Sequence, residues 1–62
     1  MTTQEEYIIE YIHIGNSLKV TAFDPATFTE ASLIAPLNVS KEYAAQLAIN
    51  KLEYIIIKSK NY

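Results

Sequence analysis

The sequence predicts one α+β domain spanning residues 1–62, a three-stranded antiparallel meander followed by a single C-terminal helix (βββα). Three observations predict it. Three short segments rich in β-branched and aromatic residues come first, and two compact turn signals separate them. A single stretch with helical periodicity fills most of the remaining chain. A length of 62 residues leaves room for no second domain.

The first two strands are joined by a two-residue loop. Residues 6–14 are β-branched, aromatic, acidic or histidine, with neither glycine nor proline, which is typical of a strand. Gly15-Asn16 then suits a type II′ turn and is also compatible with type I′. The second strand follows over residues 17–23.

The second turn is Asp24-Pro25-Ala26-Thr27. An aspartate here accepts a hydrogen bond from the backbone two residues on, and proline presets φ at the next position. The third strand covers about residues 29–35 and ends at Pro36, which cannot donate to a ladder. In the usual form of this loop Phe28 has a positive φ, which is strained for a bulky residue, so either the loop takes a different form or packing holds Phe28.

The lengths of the two loops set the strand register, and the register sorts side chains by face. One face is the more apolar, so we assign the helix to it, while the other is mixed, as a solvated face is. The predicted pairs are Leu18 with His13 and Ala35, Val20 with Tyr11 and Leu33, and Ala22 with Ile9 and Ala31. The apolar face carries Tyr7, Ile9, Tyr11, Leu18, Val20, Ala22, Ala31 and Leu33.

Ser40 is a good N-cap for a helix over about residues 41–58. On a helical wheel this segment has two apolar stripes. The broad stripe, which we expect to cover the sheet, comprises Ala44, Ala45, Ala48, Ile49, Leu52, Ile55 and Ile56. The narrower one, here called the outer stripe, comprises Tyr43, Leu47 and Tyr54.

Composition excludes several classes of protein. The chain has no Cys, so disulfides and thiolate metal sites are excluded, and its one His cannot build a metal site unaided. No apolar run is long enough to span a bilayer, and the first six residues lack the basic region of a signal peptide. We therefore expect a cytoplasmic protein that has no membrane contact and no cofactor.

The titratable residues form no recognisable catalytic or metal site. His13 has no evident orienting partner, and we expect it to be structural. Glu5, Glu6 and Glu10 resemble an acidic cluster, but Glu6 and Glu10 lie roughly 13 Å apart along a strand, too far to share a ligand. No serine or threonine has a triad pattern. The sequence thus predicts no catalytic, cofactor-binding or metal-binding residue and no enzyme.

The first strand lies at the sheet edge and lacks the Lys, Pro and Gly that normally protect an edge. Two such strands can pair across a two-fold axis, and the outer stripe of each helix then meets its copy. We therefore predict a homodimer or higher homo-oligomer, with an unidentified protein partner also open. A monomer with a partly exposed outer stripe is the alternative. The predicted contact residues are Tyr7, Tyr11, Tyr43, Leu47 and Tyr54.

A second functional hypothesis is a nucleic-acid accessory protein that uses sheet tyrosines with Lys51, Lys58 and Lys60. We favour it less, because the chain has no Arg and a formal net charge of -2. Lysines at a helix C-terminus also complement the helix dipole. A small enzyme with a site shared between subunits is the least supported hypothesis, since few titratable groups lie outside solvated positions.

Several segments resemble a family of short alphaproteobacterial proteins of unknown function. They are I-G-N-S-L-K-V-T-A at residues 14–22, Asp24-Pro25 with Thr27, T-E-A-S-L-I-A-P at residues 29–36, and K-L-E-Y at residues 51–54. The family pattern usually has glycine where this chain has Phe28, a departure confined to the second turn. The resemblance implies a cytoplasmic bacterial protein and no defined activity.

Overall fold

The computed structural model describes residues 6–60, with only the backbone described at Lys60. The strands are β1 (Ile8–Ile14), β2 (Ser17–Asp24) and β3 (Thr29–Pro36), and the helix is α1 (Lys41–Lys60). The strands form an antiparallel sheet in the order β1-β2-β3. The predicted βββα fold is therefore confirmed, although β1 begins at Ile8 rather than at residue 6 and α1 runs beyond residue 58.

The strand register is the predicted one. Val20 lies opposite Tyr11 on one side and Leu33 on the other, and the remaining predicted pairs are also present. Gly15 has a φ of 55°, whereas Asn16 does not have a positive φ. A positive φ at the first central position alone is the pattern of a type II′ turn, so the structure selects one of the two turns that the sequence leaves open.

The turn between β2 and β3 is organised by Asp24, which is buried. Its backbone carbonyl accepts hydrogen bonds from the N–H groups of Thr27 (3.3 Å) and Phe28 (2.7 Å). Its carboxylate accepts a third from the Ala26 N–H at 3.0 Å and a fourth from the Thr27 hydroxyl at 3.1 Å. The predicted hydrogen bond to the Asp24 side chain from the backbone two residues on is therefore confirmed.

Phe28 has the expected positive φ, at 59°. Its side chain is 80% exposed, so burial does not hold it in place. Instead its ring stacks on Phe23, with ring centroids 6.2 Å apart and planes inclined by 15°. Phe28 thus has a backbone conformation that a bulky residue rarely adopts. Two contacts are made in this conformation, the backbone hydrogen bond to Asp24 and the ring stack on Phe23.

The helix packs on the predicted face of the sheet, across β2 and β3. Its buried positions are Ala44, Ala48 and Leu52, all within the predicted broad stripe. The sheet contributes Leu18, Val20, Ala22, Ala31 and Ala35. Most of these residues are alanines, so the backbones of α1 and the sheet approach closely over a core with few large side chains.

The start of α1 is fixed by Ser40, as predicted. The Ser40 hydroxyl accepts a hydrogen bond from the Tyr43 N–H at 3.1 Å, and its carbonyl accepts one from the Ala44 N–H at 3.0 Å. Glu42 lies in the first turn, where a negative charge complements the helix dipole. The Val39 N–H donates to the Pro36 carbonyl at 3.2 Å and tightens the connection from β3.

Candidate interaction surfaces

Two hydrogen bonds hold α1 from opposite sides. The Tyr7 hydroxyl donates to Glu53 Oε2 at 3.3 Å, and Lys51 Nζ donates to the backbone carbonyl of Ser32 at 2.8 Å. Residues two apart point to nearly opposite sides of a helix. Glu53 therefore lies on the β1 side of α1 and Lys51 on the β3 side. The helix axis lies between them, over β2 and β3.

The backbone groups of the sheet alternate in direction. In a two-residue hairpin the pair that flanks the loop, here Ile14 and Ser17, exchanges hydrogen bonds, and the pair type alternates from there. Even-numbered residues of β2 therefore direct their N–H and C=O toward β3. The Asp24 carbonyl has this direction, because it accepts a hydrogen bond from the Phe28 N–H at the start of the β3 side. The outward groups belong to even-numbered residues on β3 and odd-numbered residues on β1.

The outer edge of β3 is partly blocked. Ser32 and Pro36 both have outward-directed backbone groups by this alternation. Lys51 occupies the Ser32 carbonyl, and Pro36 has no N–H to offer. An edge lysine and an edge proline are two of the devices by which proteins prevent unwanted strand pairing.

The outer edge of β1 has neither of these two features. Its outward backbone groups belong to Ile9, Tyr11 and His13. Over residues 6–60, the hydrogen bonds made by side chains and loops leave these groups unengaged. Every residue of β1 except Ile9 is exposed, and the strand contains no Lys, Pro or Gly. We call this the open edge, and the sheet thus has one partly blocked edge and one open edge.

Two of the five predicted contact residues lie at β1. Tyr7 is half-buried against the core and bonded to Glu53. Tyr11 lies on the helix-facing side of β1 and is exposed, with the Lys41 ammonium 5.3 Å from the centre of its ring. Burial raises the pKa of the Tyr7 hydroxyl, and the Glu53 carboxylate and Asp24 raise it further. Tyr7 is therefore chiefly an internal tie between β1 and α1, and Tyr11 is the tyrosine available at the open edge.

The other three residues, the outer stripe, lie on α1. Tyr43 and Tyr54 are 59% and 62% exposed, and Leu47 is exposed to a smaller extent. Leu47 and Tyr54 lie four residues before and three after Lys51, so they share its side of the helix. That side is the β3 side. The sequence-based expectation that pairing of two β1 strands brings the outer stripes together does not follow from this arrangement.

The face of the sheet opposite α1 carries exposed apolar residues that the sequence analysis described only as a mixed face. Ile8, Ile12 and Ile34 are all exposed there, and Phe28 continues the patch next to Phe23. A shallow depression at one end is lined by Ile8, Ile9, Glu10, Thr21, Phe23 and Glu30. In the sequence, isoleucine occupies both even-numbered and odd-numbered positions of β1. Because successive side chains of a strand point to opposite faces, this pattern predicts apolar contact on both faces.

The titratable groups do not converge. His13 is exposed on β1, and among residues 6–60 no three His, Asp or Glu side chains lie close enough to hold a metal ion. Glu5, the remaining member of the acidic cluster considered above, lies outside the described residues. In the same part of the chain, every buried side-chain nitrogen or oxygen has a hydrogen-bond partner.

The lysines near the C-terminus of α1 do not join the sheet tyrosines. Lys51 is bonded to Ser32 on the β3 side, and the Lys58 ammonium lies 5.7 Å from the centre of the Tyr54 ring. Tyr7 and Tyr11 lie on the β1 side. The side chain of Lys60 is outside the described part of the structure. The described groups of the nucleic-acid hypothesis therefore occupy separate surfaces.

A family model for a domain of unknown function, DUF6898, matches residues 4–60, which is nearly the whole chain. The chain belongs to the DUF6898 family. In this member of DUF6898 the matched segment contains all three strands and the helix. The expectation of a family without a defined activity is confirmed. No curated protein sequence and no solved structure matches the chain. In the described part of this DUF6898 chain, no helix is long and apolar enough to cross a membrane.

Proposed function

We propose that this DUF6898 chain is a non-catalytic protein-interaction module that self-associates through the open edge of β1. The observation that carries the proposal is the difference between the two sheet edges. Lys51 and Pro36 partly block the outer edge of β3, whereas the outward groups of Ile9, Tyr11 and His13 are unprotected. An unprotected edge is a template for pairing with another strand.

The side chains of β1 support the same conclusion. Ile8, Ile12 and Ile14 lie on one face of the strand, and Ile9 and Tyr11 lie on the other. Side chains of neighbouring strands contact each other on each face of a sheet, so an interior strand, with a neighbour on both sides, keeps more of its apolar surface from water than an edge strand does. Pairing of β1 with another strand would place it in such an interior position.

The small core supplies an energetic reason for association. Among the described residues, Val20 and Leu52 are the large side chains that are completely buried. Domains of this length bury a limited fraction of their surface and commonly gain stability from a metal, disulfides or oligomerisation. Cysteine is absent from the sequence, which leaves association as the contribution that these residues support best.

Sedimentation at micromolar concentration tests the proposal. We expect a species of at least twice the chain mass of 7.0 kDa. Tyr11→Pro removes an outward N–H from the open edge and should give a folded monomer. Ile34→Pro removes an outward N–H from β3 and is the matched control, which should remain associated. Far-UV circular dichroism checks that both variants fold. A wild-type chain that sediments as a monomer contradicts the proposal.

A further inference from the structure

We propose that the partner strand at the open edge is β1 of a second copy, antiparallel and in a single register, with Tyr11 on the two-fold axis. This inference rests on the proposed self-association and specifies its geometry. The result is a six-stranded sheet with both helices on the same side.

Symmetry limits the choice of register. When two identical antiparallel strands are related by a two-fold axis perpendicular to the sheet, one residue faces its own copy. With Tyr11 on the axis, the whole of β1, Ile8–Ile14, is paired. With Glu10 on the axis pairing covers only residues 8–12, and with Ile12 only residues 10–14. The Tyr11 register therefore forms the longest ladder.

The backbone groups fit this register. The outward N–H and C=O groups of β1 belong to odd-numbered residues. Tyr11 faces Tyr11 of the second copy, and Ile9 faces His13 of the second copy, so each outward group meets another outward group. Tyr11 thus forms a hydrogen-bonded pair on the axis.

The side chains distinguish the registers further. Placing Glu10 on the axis sets two carboxylates directly opposite each other, and like charges in that position destabilise a sheet. The Tyr11 register instead sets Glu10 opposite Ile12 of the second copy and Ile8 opposite Ile14 of the second copy. On the face opposite α1, Ile8, Ile12 and Ile14 of each chain then each have a cross-strand neighbour from the second copy, and the two Glu10 side chains lie apart from each other.

On the helix side the two Tyr11 rings come together at the axis. Each ring already has a Lys41 ammonium at 5.3 Å, so the cation lies over an aromatic pair. The outer stripes remain on the far sides of the two helices, because Leu47 and Tyr54 share the β3 side with Lys51. The dimer thus uses Tyr11 and leaves Tyr43, Leu47 and Tyr54 outside the contact.

The absence of cysteine from the chain allows a direct test by single-cysteine crosslinking. In a hydrogen-bonded antiparallel pair the Cα atoms lie about 5.5 Å apart, within the range of a disulfide. Under mild oxidation, Tyr11→Cys should therefore form covalent dimers on a non-reducing gel. Glu10→Cys and Ile12→Cys should each crosslink poorly alone and efficiently when the two proteins are mixed, since these positions face each other. Ile34→Cys is the exposed control on β3.

The outcomes separate the register from self-association itself. If the wild-type chain sediments as a dimer but Glu10→Cys or Ile12→Cys crosslinks to itself most efficiently, the Tyr11 register is wrong and self-association stands. A dimer in which none of these β1 cysteines crosslinks means that β1 is not the contact. If Tyr11→Cys fails to fold, the mixture of Glu10→Cys and Ile12→Cys still decides the register. A monomeric wild-type chain overturns both proposals.

Discussion

Lys51 Nζ donates a 2.8 Å hydrogen bond to the backbone carbonyl of Ser32, at the outer edge of β3. The bond joins the helix to a strand edge, so one side chain both positions α1 and occupies an acceptor that another strand could use. On the opposite side of the helix, the Glu53 carboxylate accepts a hydrogen bond from the Tyr7 hydroxyl. The two contacts define the sideways position of α1 over the sheet.

Replacing Lys51 with methionine should unblock the edge of β3. We expect Lys51→Met to lower the free energy of unfolding by about 0.5–1 kcal/mol, because an exposed hydrogen bond is lost while the apolar stem of the side chain is retained. We also expect larger assemblies than those of the wild-type chain, measured by sedimentation velocity. Lys58→Met is the matched control, since Lys58 contacts Tyr54 and not the sheet. Identical sedimentation of all three proteins would show that Lys51 does not protect this edge.

The tie between Tyr7 and Glu53 should make stability depend on pH in the alkaline range. The pKa of Tyr7 is raised above its usual value of 10.0 by burial and by the adjacent Glu53 carboxylate. The unfolded chain therefore loses this proton at lower pH than the folded chain, so the contribution to stability is present below pH 10 and is lost as pH rises through the folded pKa.

Urea unfolding of the wild-type chain and of Tyr7→Phe, from about pH 8 to about pH 11, measures this dependence. The free energy of unfolding should fall less steeply with pH in Tyr7→Phe than in the wild-type chain. Tyr54→Phe, which removes an exposed hydroxyl from the helix surface, serves as the control and should keep the wild-type slope. Equal slopes for all three proteins would rule out the assigned role of Tyr7.

The positive φ of Phe28 predicts a difference between two small replacements. Phe28→Ala and Phe28→Gly both remove the stack on Phe23, but only glycine adopts a φ of 59° without strain from Cβ. We expect Phe28→Gly to be more stable than Phe28→Ala by about 1 kcal/mol, measured by thermal or urea unfolding. If alanine is the more stable of the two, the left-handed conformation at this residue is not a source of strain.

The interior of the domain should tolerate little loss of volume. Leu52 is completely buried, and a Leu→Ala change in a core costs about 2–5 kcal/mol. A chain of this length has a total stability of about 3–9 kcal/mol, so Leu52→Ala should be largely unfolded or close to it. Ile57→Ala, on the exposed side of the same helix, should change the free energy of unfolding by less than about 1 kcal/mol. Far-UV circular dichroism with urea titration measures both.

The register of the sheet was predictable because both loops are short and contain residues with narrow conformational preferences. Gly15 and Asp24 each fix one turn, and every cross-strand pair follows from those two positions. The capping role of Ser40 was predictable for the same reason, since a hydroxyl before a periodic segment has one favourable local use.

The sideways position of α1 was not predictable from periodicity, which identifies the face of a helix but not the strands that it covers. Small side chains on the sheet contribute to it together with the two flanking hydrogen bonds. Ala22 and Ala31 allow α1 to approach β2 and β3, whereas Tyr7, just before β1, and Tyr11, within it, are bulkier. Because the helix lies toward β3, the outer stripe lies far from β1, and the five predicted contact residues occupy separate surfaces.

The alanine-lined contact between α1 and the sheet also has a thermal consequence. Methyl groups expose little hydrocarbon to water on unfolding, and hydrocarbon hydration is the main source of the heat-capacity increment. The increment for this domain should therefore be small, and the curve of free energy against temperature should be broad and nearly flat. The free energy of unfolding then changes little when the chain is warmed or cooled by tens of degrees from the temperature of greatest stability.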